Sequence, residues 1–183
     1  MLSAPNCDIA RVTVLRKGLL DGQSVVLLDD VPASIGELLS SLGASLGALS
    51  EPDEERALEL ARAAAPVNSV VCSAGGRLEG VEHAWTAIRA LAVGALIPAG
   101  GGTIVLLAPR PATSPQAGAV RAALENLART LSVEWARYGI TTTAIWPGPR
   151  TSEDDLAELV AYLCSAAGAY FSGCRFDLGA LGS

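Results

Sequence analysis

Lysine occurs once in this chain (Lys17), histidine once (His83) and methionine once. Twelve scattered arginines face 19 acidic residues, and the net charge is −6. A nucleic-acid binder needs a basic face that displaces phosphate counterions, so nucleic acid and anionic membranes are poor partners for such a chain. The four cysteines, Cys7, Cys72, Cys164 and Cys174, form no C-x-x-C pair, and with a single histidine there is no zinc-ligand spacing. They read as scattered buried thiols, and no metal site is expected. No apolar run reaches the ~18 residues of a membrane span. Asp8 and Arg11 interrupt the first 17 residues, which do not read as a signal peptide. A soluble, cytoplasmic protein is the expectation.

What is present is apolar. Half of the 183 residues are hydrophobic and 17% are charged, which argues against disorder. The length suits one domain that buries roughly 70% of its unfolded surface. No linker or repeat divides residues 1–183, and residues 1–19, with the run Ile9–Leu15, read as an N-terminal extension.

Short β-rich runs alternate with helical ones. Ser24–Leu28, Ser45–Leu49, Ser69–Cys72, Thr103–Ala108, Thr141–Trp146 and Arg175–Leu178 read as strands. Helices are expected over Ile35–Leu42, Glu51–Ala65 (capped by Ser50), Leu78–Val93, Gln116–Tyr138 and Asp154–Ala166. In Gln116–Tyr138, Val120, Leu124, Leu127, Leu131, Trp135 and Tyr138 fall on one stripe, which Ala117, Ala128 and Ala136 widen. Gly139 stops it. Such alternation implies an α/β, Rossmann-like, doubly wound parallel sheet.

Ala119–Pro149 (AVRAALENLARTLSVEWARYGITTTAIWPGP) resembles the long helix, strand and Pro-Gly turn of the short-chain dehydrogenase/reductases. Gly101–Leu107, Val67–Gly75 (VNSVVCSAG), Phe171–Gly179 (FSGCRFDLG) and Ser24–Gly36 resemble further family segments, in the family's order. The resemblance implies a nucleotide-binding dehydrogenase fold. The departures from the family pattern imply something else about activity.

The family's Thr-Gly-x-x-x-Gly-x-Gly loop falls on Asp29, Asp30, Ser34, Ile35 and Gly36, and only the last glycine is kept. Those glycines let backbone amides reach the pyrophosphate. A carboxylate at Asp30 would repel a phosphate charge by about 4 kcal/mol at ~4 Å and an effective dielectric near 20. No GxGxxG or Walker-type loop occurs elsewhere. The family's Tyr-x-x-x-Lys pair, whose lysine lowers the tyrosine pKa for proton exchange, falls on Ala117 and Arg121. None of Tyr138, Tyr162 or Tyr170 has a basic residue four positions on. The catalytic serine position falls within Ala108-Pro109-Arg110, and Pro147–Thr151 runs directly towards a helix near Ser152, leaving no substrate lid.

The remaining chemistry-bearing residues have plainer readings. Ser114 reads as a turn or cap residue, His83 as a structural histidine and Cys72 as a small buried filler. Glu51, Asp53, Glu54 and Glu55, like Glu153, Asp154 and Asp155, read as acidic first turns favoured by the helix dipole. Arg121 reads as solvated or ion-paired. No catalytic, cofactor or metal residue is therefore expected. The apolar face of Gln116–Tyr138 is wider than one sheet contact needs, and the resemblance implies a dimer interface there and a second contact at the C-terminal segment. Ala119, Ala122, Ala123 and Val133 are candidates for the partner side.

The expectation is a non-catalytic subunit that pairs with an active family member, or with itself, in a dehydrogenase or reductase assembly. Two alternatives stay open. One is a divergent oxidoreductase with relocated residues. The other is a cofactor-free binding module that uses the crevice at the strand ends.

Overall fold

In the computed structural model, residues 15–50, 53–64 and 66–179 are described. Six strands, β1 Ser24–Leu28, β2 Ser45–Leu49, β3 Ser69–Ser73, β4 Gly102–Leu107, β5 Ile140–Trp146 and β6 Arg175–Asp177, form one sheet in the order β2-β1-β3-β4-β5-β6. Every pairing is parallel, as runs of Val, Ile and Leu buried on both faces require. The expected doubly wound α/β sheet is therefore observed.

Five helices cover it: α1 Ala33–Ser41, α2 Glu54–Ala63, α3 Leu78–Leu91, α4 Ala117–Glu134 and α5 Glu153–Cys164. One core, with Val26, Val70, Ile104, Leu106 and Ala144 from the strands, lies under α2, α3 and α4. The other, with Val25, Val71, Val105 and Ile145, lies under α1 and α5. Leu15, Leu19 and the fully buried Leu20 pack into this second core, so the chain joins the fold before β1 begins. The rest of the expected extension, with Cys7 and the run Ile9–Val14, lies outside the described residues, as do Glu51 and Ala65.

Some boundaries differ from the sequence expectations for local reasons. Helix α2 begins later than expected, because Asp53 and not Ser50 is the cap: its carboxylate accepts from Arg56 N at 2.8 Å. Helix α3 does not simply shorten at Gly94 but continues as a π-helical turn over Ala92–Leu96. A Cβ on Gly94 would meet Leu58 at 3.1 Å and Ala61 at 3.3 Å, so the glycine lets this turn sit against α2. Cys72 and Cys164 are buried as expected, whereas Cys174 is only half-buried. No helix among the described residues is long and apolar enough to cross a membrane.

Candidate functional site: the crevice at the strand ends

After β1 the chain moves to β2 at one edge, then returns past β1 to place β3 on its other side. The loops leaving the carboxyl ends of β1 and β3 must diverge at that reversal, and in open α/β sheets ligands sit in the gap. Here the gap is a crevice of about 480 Å³. Asp29 and Asp30 line it from β1, Ser73–Arg77 from β3, and Glu79, Gly80 and His83 from α3.

Its electrostatics are acidic. Asp29 ends β1 with a φ of 60°, a left-handed conformation that favours glycine. Its charge adds to the burial that raises the Cys72 thiol far above the ordinary cysteine range. The Glu79 carboxyl is held below its usual range, first by its own backbone amide and then by Arg77, 3.5 Å away. His83 lies exposed on α3.

The family's phosphate loop can be compared position by position. Helix α1 starts after Pro32, which has no N–H and no side-chain cap. Ser34 donates to Glu153 at the start of α5, at 3.3 Å. Gly36, the glycine that is kept, serves packing: a Cβ there would meet Leu27 at 3.3 Å and Leu46 at 3.5 Å. A pyrophosphate needs donors at this point, and the chain offers the carboxylates of Asp29 and Asp30. The residues present do not fit that group in the family's pose. Calorimetry with NADPH is expected to give no binding at micromolar concentrations, and Asp30→Gly combined with Ser34→Gly should introduce some. Micromolar affinity in the unaltered chain would refute this reading.

Beyond the crevice, over the ends of β3, β4 and β5, lie the positions of the family's proton-transfer groups. Ala117 is buried at the start of α4. Arg121 is buried and pairs with no acidic side chain among the described residues, contrary to its reading as solvated or ion-paired. It is 9% exposed, and its Nη1 donates to Pro109 O at 2.7 Å and Pro147 O at 2.9 Å. Its guanidinium lies 4.6 Å from the Trp146 ring centroid. Burial lowers its pKa, partly against the field of Asp177. Arg175 approaches the same ring at 4.2 Å and is bound by Glu125 at 2.8 Å. Arg110 donates to Gly148 O at 3.0 Å. The sequence reading missed this set of ties, because they join residues on three different loops and strands.

Ser114 is a tie as well. Its hydroxyl donates to Gly76 O and accepts from Gln116 N at 3.2 Å. Gln116 in turn accepts from Leu78 N at 3.2 Å. The start of α4 is thus latched to the start of α3, and Ser114 is the turn residue the sequence suggested. Ser152 caps α5 by accepting from Asp155 N at 3.0 Å, so the chain enters α5 directly after the Pro-Gly turn. Among the described residues no group of three or more His, Cys, Asp or Glu could hold a metal ion.

Solved structures share this architecture. A citronellol catabolism dehydrogenase of Pseudomonas aeruginosa superposes with a TM-score of 0.73 at 22% identity, over 92% of this chain and 98% of that one. A hydroxysteroid dehydrogenase from Escherichia coli gives 0.70 at 19% identity, over 90% and 99%. A variant of a Serratia marcescens short-chain dehydrogenase/reductase gives 0.71 at 19% identity, over 90% and 100%. The fold is that of the short-chain dehydrogenases. Neither a family model nor a curated protein matches the chain. Within this short-chain dehydrogenase fold, the crevice at the β1–β3 reversal and the tied region around Arg121 are the two places where chemistry would be sought.

The helix faces expected to meet a partner are divided. Val120, Leu124, Leu131, Ala117 and Ala128 are buried in the chain's own core, and Leu127, Trp135 and Tyr138 pack against it. Much of the apolar stripe is therefore internal. What remains outside is Ala119, Ala122, Ala136 and Val133, the last 79% exposed. Beside them an apolar groove of about 520 Å³ runs between α3 and α4, lined by Leu78, Val81, Trp85, Ala123, Leu127 and Thr130, among others. Trp85 also stacks on Trp135, with ring centroids 6.0 Å apart.

Proposed function

We propose that this chain is a non-catalytic subunit of short-chain dehydrogenase fold that pairs, through the α3–α4 face, with a catalytically intact dehydrogenase or reductase of the same fold. The observation that carries this reading is Arg121. At the position of the family's lysine it is engaged by two backbone carbonyls and a tryptophan ring, four residues after an alanine in place of the tyrosine. With alanine at 117, a group so held has no phenol at that position whose proton it could assist. The α3–α4 groove supports pairing, because it leaves Leu78 45% exposed beside Trp85 and Leu127, with nothing among the described residues to cover them.

The test is affinity capture of the full chain from its native host, with the captured protein identified by mass spectrometry. The expected result is a partner carrying both a glycine-rich loop and Tyr-x-x-x-Lys, in fixed ratio. Ala123→Glu, which places a charge in the groove, should weaken capture at least tenfold and leave the far-UV circular dichroism unchanged. If no such partner is captured, or if the purified chain alone turns over alcohols or ketones after repurification, the subunit reading fails. The crevice of about 480 Å³ favours a second reading, a binding module for a small ligand, which direct ligand screening of the isolated chain would reveal.

A further inference from the structure

Among the described residues, strand β2 (Ser45–Leu49, SLGAL) is an edge of the sheet, and it carries no charge, no proline and no bulge. Edges of soluble proteins are usually protected by one of these devices, since an open row of N–H and C=O groups is a template for another strand. The orientation of that row can be read from the ladder to β1. Ser45 N donates to Gln23 O, and Leu49 O accepts from Asp29 N. The odd-numbered residues of β2 therefore turn their backbone groups inward, and Leu46 and Ala48 turn theirs out of the sheet. Both are exposed, Leu46 at 39%.

We infer that β2 pairs with β2 of a second copy of this chain, antiparallel about a two-fold axis through Gly47, to make one sheet continuous across both copies. An antiparallel pair places facing side chains on the same side of the sheet, so a two-fold register must centre on a residue facing itself. Centring on Gly47 makes Leu46 face the partner's Ala48, a large side chain against a small one. These are also the residues with outward backbone groups, so each such pair exchanges both of its hydrogen bonds. At the centre stands glycine, whose hydrogens meet with no side chain between them.

A bare strand edge would bury too little for a stable dimer, but the helices add to it. Helix α1 lies over the strip between β1 and β2, where a Cβ on Gly36 would meet Leu27 and Leu46. Helix α2 lies over the same strip on the other face, where a Cβ on Gly47 would meet Leu60 at 3.4 Å and Val26 at 3.6 Å. Across the two-fold, each helix and its mate are separated by two strand spacings, about 9.5 Å. That falls within the 8–10 Å of packed helices. The two copies of α2 then run antiparallel. The interface is one edge with a helix pair on each face. It lies on β2, α1 and α2, away from the α3–α4 groove, and does not depend on the subunit reading.

The experiment uses the full chain in sedimentation and light scattering, with cysteine cross-linking as the register test. Facing residues in this register have Cα atoms about 5.5 Å apart, which suits a disulfide. The expected mass is twice the 18.7 kDa of one chain. Leu46→Cys combined with Ala48→Cys should cross-link to a dimer on a non-reducing gel, beyond any cross-linking of the unaltered chain, while neither single variant should. Leu46→Lys, which sets a charge on the shared edge, should return the mass to one chain with unchanged circular dichroism. A monomeric unaltered chain overturns the inference. So does a dimer that survives Leu46→Lys and shows no cross-link in the double variant, or one that Ala123→Glu alone dissolves.

Discussion

Arg121→Met is expected to lower the unfolding free energy by about 2–4 kcal/mol in urea titrations, although the site has no catalytic part in the proposed function. The guanidinium satisfies the carbonyls of Pro109 and Pro147, at the ends of adjacent strands β4 and β5, and covers the Trp146 ring. Methionine preserves much of the side-chain volume but donates nothing. Each hydrogen bond to a charged group contributes roughly 1.5–3 kcal/mol, and carbonyls left dry carry a further penalty. Arg121→Lys should recover only a part, because an ammonium lacks the planar fork and the flat face that lies over Trp146. A loss below about 1 kcal/mol in Arg121→Met would show that water replaces these bonds without penalty, and that Arg121 is not a structural tie.

Gly80→Ala is expected to destabilise by about 1–3 kcal/mol, the usual range for overpacking a site that cannot expand. Gly80 stands in the first turn of α3, and a Cβ there would run into the backbone carbonyl of Ala74. No rotamer relieves that clash, so the β3–α3 loop must move, and with it one wall of the crevice. By helix propensity alone the change should stabilise by up to about 1 kcal/mol. The sign therefore decides between propensity and packing. Gly118, also in the first turn of a helix but with nothing near its Cβ position, is the control and should gain stability as alanine. Thermal melts of the two variants would read the contrast directly. If both gain, the close approach of α3 to Ala74 does not constrain the loop.

How legible these features were depends on the range over which they are made. Ser24–Leu28 and Ser45–Leu49 were read to the residue, because a short apolar or β-prone run between turn residues is a local signal. Asp53 as a cap was not legible, since Ser50 is a capping residue type with an acidic residue, Asp53 itself, three positions on. The π-helical turn at Ala92–Leu96 leaves no mark in the spacing, because the extra residue is set by how Gly94 fits Leu58 and Ala61 on another helix. At the site the missing tyrosine and glycines were plain, whereas the state of Arg121 was not. Its partners are the carbonyls of residues 109 and 147, and carbonyls look alike in every sequence. Which row of α4 faces inward was not legible either: the structure packs Trp135 and Tyr138 on the chain's own core and leaves Ala119, Ala122 and Val133 exposed.

The ties at Arg121 also bear on redesign. On the proposed non-catalytic reading, installing the proton-transfer pair of the short-chain dehydrogenases would take tyrosine at 117 and lysine at 121, and the order of the two steps matters. Placing lysine first gives up the fork that holds the carbonyls of Pro109 and Pro147 before any hydroxyl is present to benefit. Placing tyrosine first puts a ring where a buried methyl now fits at the start of α4. Each single substitution is expected to be less stable than the unaltered chain, by the donors lost at 121 or the volume added at 117. On the proposed non-catalytic reading, a residue that holds two strand ends together makes the proton-transfer pair hard to install one residue at a time.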